Sequence, residues 1–173
     1  MDEDLAAQLE VARATSSERL ILRHLMQLYN YDFTEFDDAD VDEFGLYRYD
    51  YIDHYWTDAD RHAYLVRVTG KLAGFALIRI ETLENGARRT NMSEFFIMRK
   101  YRGQGVGAAV ARHLFDRYPG PWEVAELVSN LPAQAFWRKV IGRYTEGQFE
   151  DAAYEDGIVA QTFVSRAVSH NIG

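Results

Sequence analysis

The stretch that decides the fold runs from Met98 to Leu114 and is written MRKYRGQGVGAAVARHL. Its three glycines at alternating positions, Gly103, Gly105 and Gly107, lie between a predicted strand and a predicted helix. Glycine permits a positive φ and leaves main-chain amides uncovered, and the first turn of the following helix adds partial positive charge. The stretch therefore predicts either an anion-binding loop or a tight strand-to-helix turn without a ligand.

Two common nucleotide-binding motifs do not account for this stretch. The P-loop of nucleoside-triphosphate enzymes requires GK[ST], which does not follow these glycines. The dinucleotide motif GxGxx[G/A] is satisfied from Gly103 to Ala108, with Glu123 and Glu126 about 20 residues further on. That motif belongs to the first β-α unit of an alternating domain, whereas here several predicted strands precede it and too little chain follows it. We therefore expect no dinucleotide.

The hydrophobic pattern on either side of the glycines predicts the other elements. Before them we expect a short strand near Val11, a helix over 18–33, an irregular acidic segment over 35–60, and strands over 62–68, 72–81 and 90–98. After them we expect a helix over 105–118, a strand over 122–129, a helix over 132–142 and a last hairpin. The fold class is thus α/β, as one domain over residues 1–173 whose mixed sheet is mostly an antiparallel meander followed by a β-α-β-α core.

Composition narrows the classes of function. The chain has 173 residues, a net charge of −8 and no cysteine. The missing cysteine excludes disulfides, thiolate zinc sites, iron–sulfur clusters and a cysteine nucleophile, and the five histidines show no metal-binding spacing. The negative charge disfavours binding to nucleic acid or to anionic membranes. We expect no metal, no nucleic-acid partner and no membrane partner.

The location and the assembly are less constrained. The N-terminal residues lack the basic and apolar regions of a secretory signal, and no stretch approaches the roughly 18 apolar residues of a membrane span. A cytoplasmic location is expected on these grounds. A monomer and a homodimer are both compatible with the sequence.

The region from about His62 to Gly142 resembles the GNAT superfamily of N-acetyltransferases in two motifs. The family's pyrophosphate signature, [QR]-x-x-G-x-[GA], is matched by Arg102, Gly105 and Gly107. The second pattern, N-x-x-A-x-x-[FL]-[YW], is matched by Asn130, Ala133, Phe136 and Trp137. The resemblance implies a GNAT-like fold and transfer of an acetyl group from acetyl-CoA to a primary amine of a small molecule or peptide.

The resemblance also implies which residues hold acetyl-CoA. The end of the last meander strand would bind the pantetheine arm, the glycine loop the pyrophosphate, and the start of the next helix would flank the thiol. These residues are, in that order, Ile97, Met98 and Arg99; Arg102, Gly103, Gln104, Gly105, Val106, Gly107 and Ala108; and Asn130, Phe136 and Trp137. Pantetheine is an amide chain, so a strand edge offers it matching donors and acceptors.

Glu94 is the candidate catalytic base. Strand alternation places Glu94 and Phe96 on one face, in the strand that would line the cofactor. Burial among apolar groups should raise the pKa of Glu94 and help it accept a proton near neutral pH. The alternative is a structural carboxylate paired with Arg79 or Arg99.

The proton for the departing thiolate has no obvious source. Trp137 occupies the position of the family's tyrosine acid, and an indole cannot donate a proton in that way. The oxyanion donor would be a main-chain amide near Ile97 or Met98, and hydroxyls from Tyr47, Tyr49, Tyr51 or Tyr55 could replace the missing acid. The missing tyrosine also motivates an alternative function, a noncatalytic acyl-CoA-binding or regulatory module.

The irregular segment supplies the candidate acceptor site. Its aromatic residues precede the predicted hairpin, where the family builds its acceptor pocket, and the substrate candidates are Tyr51, Tyr55 and Trp56. Packing is the alternative role for them. Ten of the chain's 27 acidic residues fall between Glu35 and Asp60, which indicates either a cationic acceptor or a solvated acidic loop.

Overall fold

A computed structural model describes residues 8–166 and shows one seven-stranded mixed sheet with the order β1-β2-β3-β4-β5-β7-β6. The strands are β1 (Leu9–Arg13), β2 (Arg61–Val68), β3 (Lys71–Thr82), β4 (Arg88–Ile97), β5 (Gly120–Leu127), β6 (Phe149–Ala153) and β7 (Ile158–Ser165). The α-helices of the described residues are α1 (Arg19–Phe33), α2 (His54–Thr57), α3 (Val106–Arg117) and α4 (Leu131–Tyr144). The predicted α/β class is confirmed, with an antiparallel meander over β1–β4 followed by β-α-β-α.

The two faces of the sheet are covered by different helices. On the α1 face, the apolar side of α1 packs on side chains of β2, β3 and β4. The helix contributes Leu22, Leu25 and Met26, and the strands contribute Leu65, Phe75, Leu77 and Phe96. On the α3–α4 face, both helices pack on β2 to β5 and β7, through residues that include Val110, Leu114, Phe115, Trp137, Ile141, Trp122, Val124 and Phe163. Each helix thus buries its predicted apolar stripe.

A capping box precedes α1. In the short 3-10 turn before the helix, the Glu18 carboxylate accepts hydrogen bonds from the amide and hydroxyl of Thr15, at 2.9 and 3.0 Å. Such a capping box supplies hydrogen bonds that the first turn of a helix cannot make itself. The segment 34–60 that follows α1 is irregular apart from α2, as predicted.

The joint between β4 and β5 is short. The two strands pair in parallel only through Thr90, Asn91 and Met92 on β4. On the other side of β4, the register against β3 shifts so that Ser93 is an extra residue between Met92 and Glu94. A bulge of this kind bends a strand and turns the following side chains to the opposite face. Beyond Met92, β4 therefore leaves β5, and Glu94 points to the α1 face.

No helix within residues 8–166 has the length and apolar character that crossing a membrane would require.

Candidate functional site

A cleft of about 1080 Å³ opens where β4 and β5 separate. Its walls are the diverging ends of the two strands, the last turns of α1, the glycine loop and much of α4. Residues of both faces line it, with Tyr29 and Glu94 from the α1 face and Phe95 and Trp137 from the α3–α4 face. The cleft therefore connects the two sides of the sheet.

The glycine loop forms one end of the cleft. Gly103 and Gly105 have φ values of +74° and +84°, which side-chain-bearing residues rarely adopt. The first helical amides after them, in the first turn of α3, have no carbonyl one turn earlier to bind. A loop of this shape offers its amides and the helix dipole to an anion, and Arg112 of α3 and Lys139 and Arg143 of α4 also line the cleft. These donors fit the phosphates of a CoA molecule.

Gly107 is required by packing instead of by its backbone angles. A Cβ atom at this position would lie 3.2 Å from the ring of Phe136 and 3.6 Å from Ile97. Asn130 holds the neighbouring helix, because its side chain accepts a hydrogen bond from the Ala133 amide at 3.1 Å and caps α4. The two family motifs thus meet, with α3 and α4 touching through Gly107 and Phe136.

Arg102 links the loop to the rest of the cleft. Its guanidinium donates to the carbonyl of Ile97 at 2.6 Å and to Asp32 of α1 at 2.5 Å. Asp32 also accepts from Arg99, at 2.5 and 2.8 Å. The loop is therefore tied both to the end of β4 and to α1.

The end of β4 presents main-chain groups to the cleft. The Met98 amide donates to the carbonyl of Ala73 at 2.8 Å, so it is engaged within the sheet and is not the oxyanion donor. Alternation along an antiparallel strand then turns the main-chain groups of Ile97 and Phe95 away from β3 and toward the cleft. The Ile97 carbonyl is already held by Arg102. The edge that faces the cleft therefore consists of the Ile97 amide and the main-chain groups of Phe95, one turn of the pleat earlier than the predicted Ile97–Arg99.

Glu94 lies in the cleft wall and accepts a hydrogen bond from a tyrosine. The Tyr29 hydroxyl of α1 donates to Glu94 Oε2 at 2.6 Å. Burial raises the pKa of Glu94, and the neighbouring hydroxyls of Tyr29 and Tyr49 lower it by less. Pairing with an arginine was wrong, because Arg79 binds Glu81 and Arg99 binds Asp32.

Tyr29 is a cleft residue that the sequence did not single out, whereas Tyr49 was among the hydroxyls expected near the site. Tyr29 lies 65 positions from Glu94, and its spacing in α1 predicted only a buried stripe. Burial, followed by the charge of Glu94, raises the pKa of both tyrosine hydroxyls far above the ordinary value. They therefore stay protonated, and Tyr29 acts as a hydrogen-bond donor to Glu94.

Trp137 packs as a wall. Its ring contacts Phe95 and Phe136, each with ring centroids 4.9 Å away, and it is nearly fully buried. No hydroxyl stands at this position, as the sequence showed.

The structure brings together most of the predicted acetyl-CoA residues. Those that line the cleft are Ile97, Arg102, Gly103, Gln104, Gly105, Gly107, Ala108, Asn130, Phe136 and Trp137. Met98, Arg99 and Val106 do not line it, because Val106 is in the core, Arg99 turns to Asp32, and Met98 packs beside both cores. Their role in binding stays a prediction.

The predicted substrate residues lie elsewhere. Tyr51 is 59% exposed, Tyr55 is the buried residue of α2, and the Trp56 indole donates to the carbonyls of Ala14 and Thr15 at 3.3 and 3.2 Å. None of the three predicted residues lines the cleft as the structure describes it. Instead the α1 side of the cleft is lined by Phe33, Glu35 and Phe36, together with Tyr29 and Asp32. Tyr29, Asp32 and Phe33 end α1, and Glu35 and Phe36 directly follow it. Their convergence on the cleft therefore depends on how α1 docks.

The acidic segment is partly structural. Arg23 of α1 binds Asp53 at 2.7 Å, and Asp42 accepts amide hydrogen bonds from Phe44 and Leu46 at 2.9 and 3.0 Å. Over residues 8–166, no group of three histidine or carboxylate side chains is placed to hold a metal ion.

Solved structures share this fold. A structure of Arabidopsis thaliana Naa50 with the bisubstrate analogue CoA-Ac-MVNAL has a TM-score of 0.61 at 18% identity, covering 90% of this chain and 98% of the other. RimL, the ribosomal L7/L12 α-N-protein acetyltransferase solved with coenzyme A, has a TM-score of 0.62 at 17% identity, covering 92% and 96%. The ribosomal-protein-S18-alanine N-acetyltransferase from Escherichia coli has a TM-score of 0.58 at 15% identity, covering 95% and 99%.

Sequence comparison gives the family. No protein with a curated function matches the chain. The model of the acetyltransferase (GNAT) family matches residues 22–142, which include all but the start of α1, Glu94, the glycine loop and all but the end of α4. The chain therefore belongs to the GNAT family of acetyltransferases and is an acetyl-CoA-dependent N-acetyltransferase.

Proposed function

We propose that this enzyme acetylates a primary amine of a small molecule or peptide, with Glu94 as the base. The observation that carries the proposal is the position of Glu94, which stands in the cleft wall on the α1 face, across the sheet from the glycine loop and α3–α4. An amine entering from the α1 face would meet a carboxylate there before it reached the donor.

Acetyl-CoA supplies an acetyl group activated as a thioester. The residues that would hold it are the loop Gly103–Ala108 for its phosphates and the edge of β4, through Phe95 and the Ile97 amide, for its amide arm. Trp137 and Phe136 would exclude water from the thiol end, since both rings are packed against Phe95.

Glu94 would take a proton from the ammonium group of the acceptor. A primary amine is mostly protonated at neutral pH, and only the neutral form can attack a carbonyl. Because burial raises the pKa of Glu94, its carboxylate is a better base than an exposed glutamate. The Tyr29 hydroxyl holds the carboxylate in place and stabilises its charged form.

Peptides belong to the proposed acceptors because of the solved structures with this fold. Naa50 was captured with an analogue that joins CoA to a peptide, and RimL and the Escherichia coli enzyme modify ribosomal proteins. In this chain Glu35, Phe33 and Phe36 line the α1 side of the cleft, which supports an acceptor with a cationic group beside an apolar one. A homodimer and a cytoplasmic location stay predictions.

The test measures release of the CoA thiol with a pool of amines and short peptides. Wild-type protein should release thiol, and Glu94→Gln should slow it by about 10² to 10⁴ while the Kd of acetyl-CoA is unchanged. Glu150→Gln is the control, because Glu150 is an exposed carboxylate on β6 far from the cleft.

The alternative, a noncatalytic acyl-CoA-binding module, rests on the tryptophan at position 137. It predicts tight acetyl-CoA binding with no thiol release above hydrolysis for any amine. That result, or a Glu94→Gln variant as fast as wild type, would contradict the proposed mechanism.

A further inference from the structure

Glu126 is a second carboxyl group of the cleft, on the wall opposite Glu94. It lies on β5, two residues past Val124, which is the last position that pairs with β4. Alternation along β5 puts Glu126 on the same face as the buried Val124 and Trp122, which is the α3–α4 face. Glu94 points to the other face, so the two carboxyl groups lie on the two sides of the sheet.

The Glu126 carboxyl group is buried without a partner. The residue is only 8% exposed, and neither of its oxygens makes a hydrogen bond in the described structure. The buried Oε1 of Gln161 nearby is also without a hydrogen bond. A buried carboxylate in this state is costly, whereas a protonated carboxyl group is much less so and has one hydrogen to give.

Burial, together with one polar and two charged neighbours, leaves the pKa of Glu126 close to neutral pH. Burial raises its pKa to about 7, with Gln161 and Arg138 acting to lower it and Asp151 to raise it. These neighbours belong to β7, α4 and β6. A carboxyl group of this kind can both give and recover a proton under neutral conditions.

The reaction needs a proton on this side of the sheet. Trp137, which packs in the same core as Val124 and lines the same cleft, carries no hydroxyl. Glu126 is the cleft residue on the α3–α4 face whose titratable group the described structure buries with no hydrogen-bond partner.

We propose that Glu126 is the proton donor to the CoA thiolate, in place of a tyrosine at position 137. The inference rests on the proposed function. As the nitrogen–carbon bond forms and the carbon–sulfur bond breaks, the electron pair of the broken bond goes to sulfur. The Glu126 O–H proton passes to that sulfur. Glu94, after it has released the ammonium proton to solvent, takes the second proton, which the nitrogen loses as it becomes an amide. Glu126 then recovers a proton from solvent.

Turnover is the first test. Glu126→Gln keeps the shape and removes the proton, so kcat should fall about tenfold to a hundredfold with the KM for acetyl-CoA unchanged. Adding Trp137→Tyr to this variant supplies a hydroxyl on the same face and should recover part of the loss. Glu123→Gln is the matched control on the same strand, since Glu123 pairs with Arg89 at 2.8 Å and does not line the cleft.

Binding of the thiol product gives a second test that needs no turnover. The ionisation of bound CoA is followed by the ultraviolet absorbance of its thiolate, and a carboxylate facing the sulfur should raise the thiol pKa. We expect that pKa to be about one unit lower in Glu126→Gln than in wild type or Glu123→Gln. If Glu126→Gln does not fold, Glu126→Asp should lower the thiol pKa by a smaller amount.

The two tests separate failure of the inference from failure of the proposed function. Thiol release by wild type with an unchanged kcat in Glu126→Gln would overturn the inference alone. A reduced kcat with an unchanged pKa of bound thiol would make Glu126 a structural partner of Gln161 and would also overturn it. If no amine released thiol, the proposed function would fail, and an unchanged thiol pKa would then reject Glu126 on binding grounds.

Discussion

At the scale of single residues, the contact between Tyr29 and Glu94 sets the basicity of the site. The hydroxyl donates to the carboxylate at 2.6 Å and therefore favours its charged form. Burial works against it and is the larger influence on the pKa of Glu94. The hydrogen bond from Tyr29 thus limits the rise in the pKa of Glu94, in a buried wall that would otherwise favour the protonated form of this residue.

Tyr29→Phe should move the acidic limb of the kcat/KM profile to higher pH. Losing a donor to the carboxylate removes about 1.5 to 3 kcal/mol from its charged form, so the pKa of Glu94 should rise by about one unit or more. Activity should fall most below neutral pH and recover at alkaline pH. The measurement is kcat/KM from pH 5 to 10, with Tyr31→Phe as control because Tyr31 is 68% exposed on the same helix. A uniform loss at every pH would indicate a role in packing instead.

Glu94 was predictable from strand alternation and Tyr29 was not. Alternation in FFIM fixes the face of Glu94 from local sequence. The tyrosine reaches it only because α1 docks across β3 and β4, which is a long-range arrangement. For the same reason Tyr51, Tyr55 and Trp56 were chosen as substrate residues from their chain position, whereas the cleft is lined by Phe33 and its neighbours.

At the scale of elements, the glycine loop and the start of α3 form one unit with α4. The positive φ at Gly105 allows the turn, and the missing side chain at Gly107 lets α3 approach Phe136. A local motif could predict this unit because all its determinants lie within the loop and two helices. The divergence of β4 from β5 could not be predicted, because the extra residue Ser93 leaves no mark in the hydrophobic pattern.

Gly105→Val should weaken acetyl-CoA binding by at least a hundredfold. Valine at a φ of +84° distorts the loop and covers its amides, so the phosphates lose their donors. Gly86→Val is a matched control, because Gly86 has a φ of +81° in the β3–β4 turn, away from the cleft. Calorimetric titration should show lost binding only in Gly105→Val, while both variants lose some thermal stability. Equal affinities in the two variants would exclude the loop as the phosphate site.

Gly107→Ala should have a milder effect of a different kind. The added methyl group lies 3.2 Å from Phe136, so the ring must shift by a few tenths of an ångström. We expect a severalfold weaker Kd for acetyl-CoA and a lower kcat with the fold retained. Calorimetry and thiol release on the same preparation check this, and unchanged values for both would show that the ring position is unimportant.

At the scale of the whole molecule, the buried carboxyl group of Glu126 makes stability depend on pH. Its pKa is raised to about 7 when folded, above the ordinary glutamate value of 4.5 that applies when unfolded. The folded state therefore binds the proton more tightly, and stability is lost as pH rises from about 4.5 to about 7. Paired acids such as Asp32 have lowered pKa values and act with the opposite sign.

Glu126→Gln should remove the part of the stability loss above pH 4.5 that comes from the ionisation of Glu126. The free energy of unfolding of the variant minus that of wild type should increase by about 3 kcal/mol between pH 4.5 and pH 7.5. Urea unfolding at several pH values gives the difference, and the pairs that change equally in both proteins cancel. Glu150→Gln controls for the loss of one exposed carboxyl group. A difference that does not change with pH would mean that the folded protein does not hold Glu126 protonated.

The three-residue joint between β4 and β5 should also be a point at which the sheet opens locally. Two antiparallel blocks, β1–β4 and β5–β7–β6, share one sheet through Thr90 to Met92 alone. Local opening proceeds where few hydrogen bonds hold a structure, so the amides at this joint should exchange with deuterium sooner than those within either block. A molecule that bound across the divergent strands would bridge the blocks and slow that exchange. The gap that admits the substrates would then also be the hinge about which the two blocks of the sheet open and close.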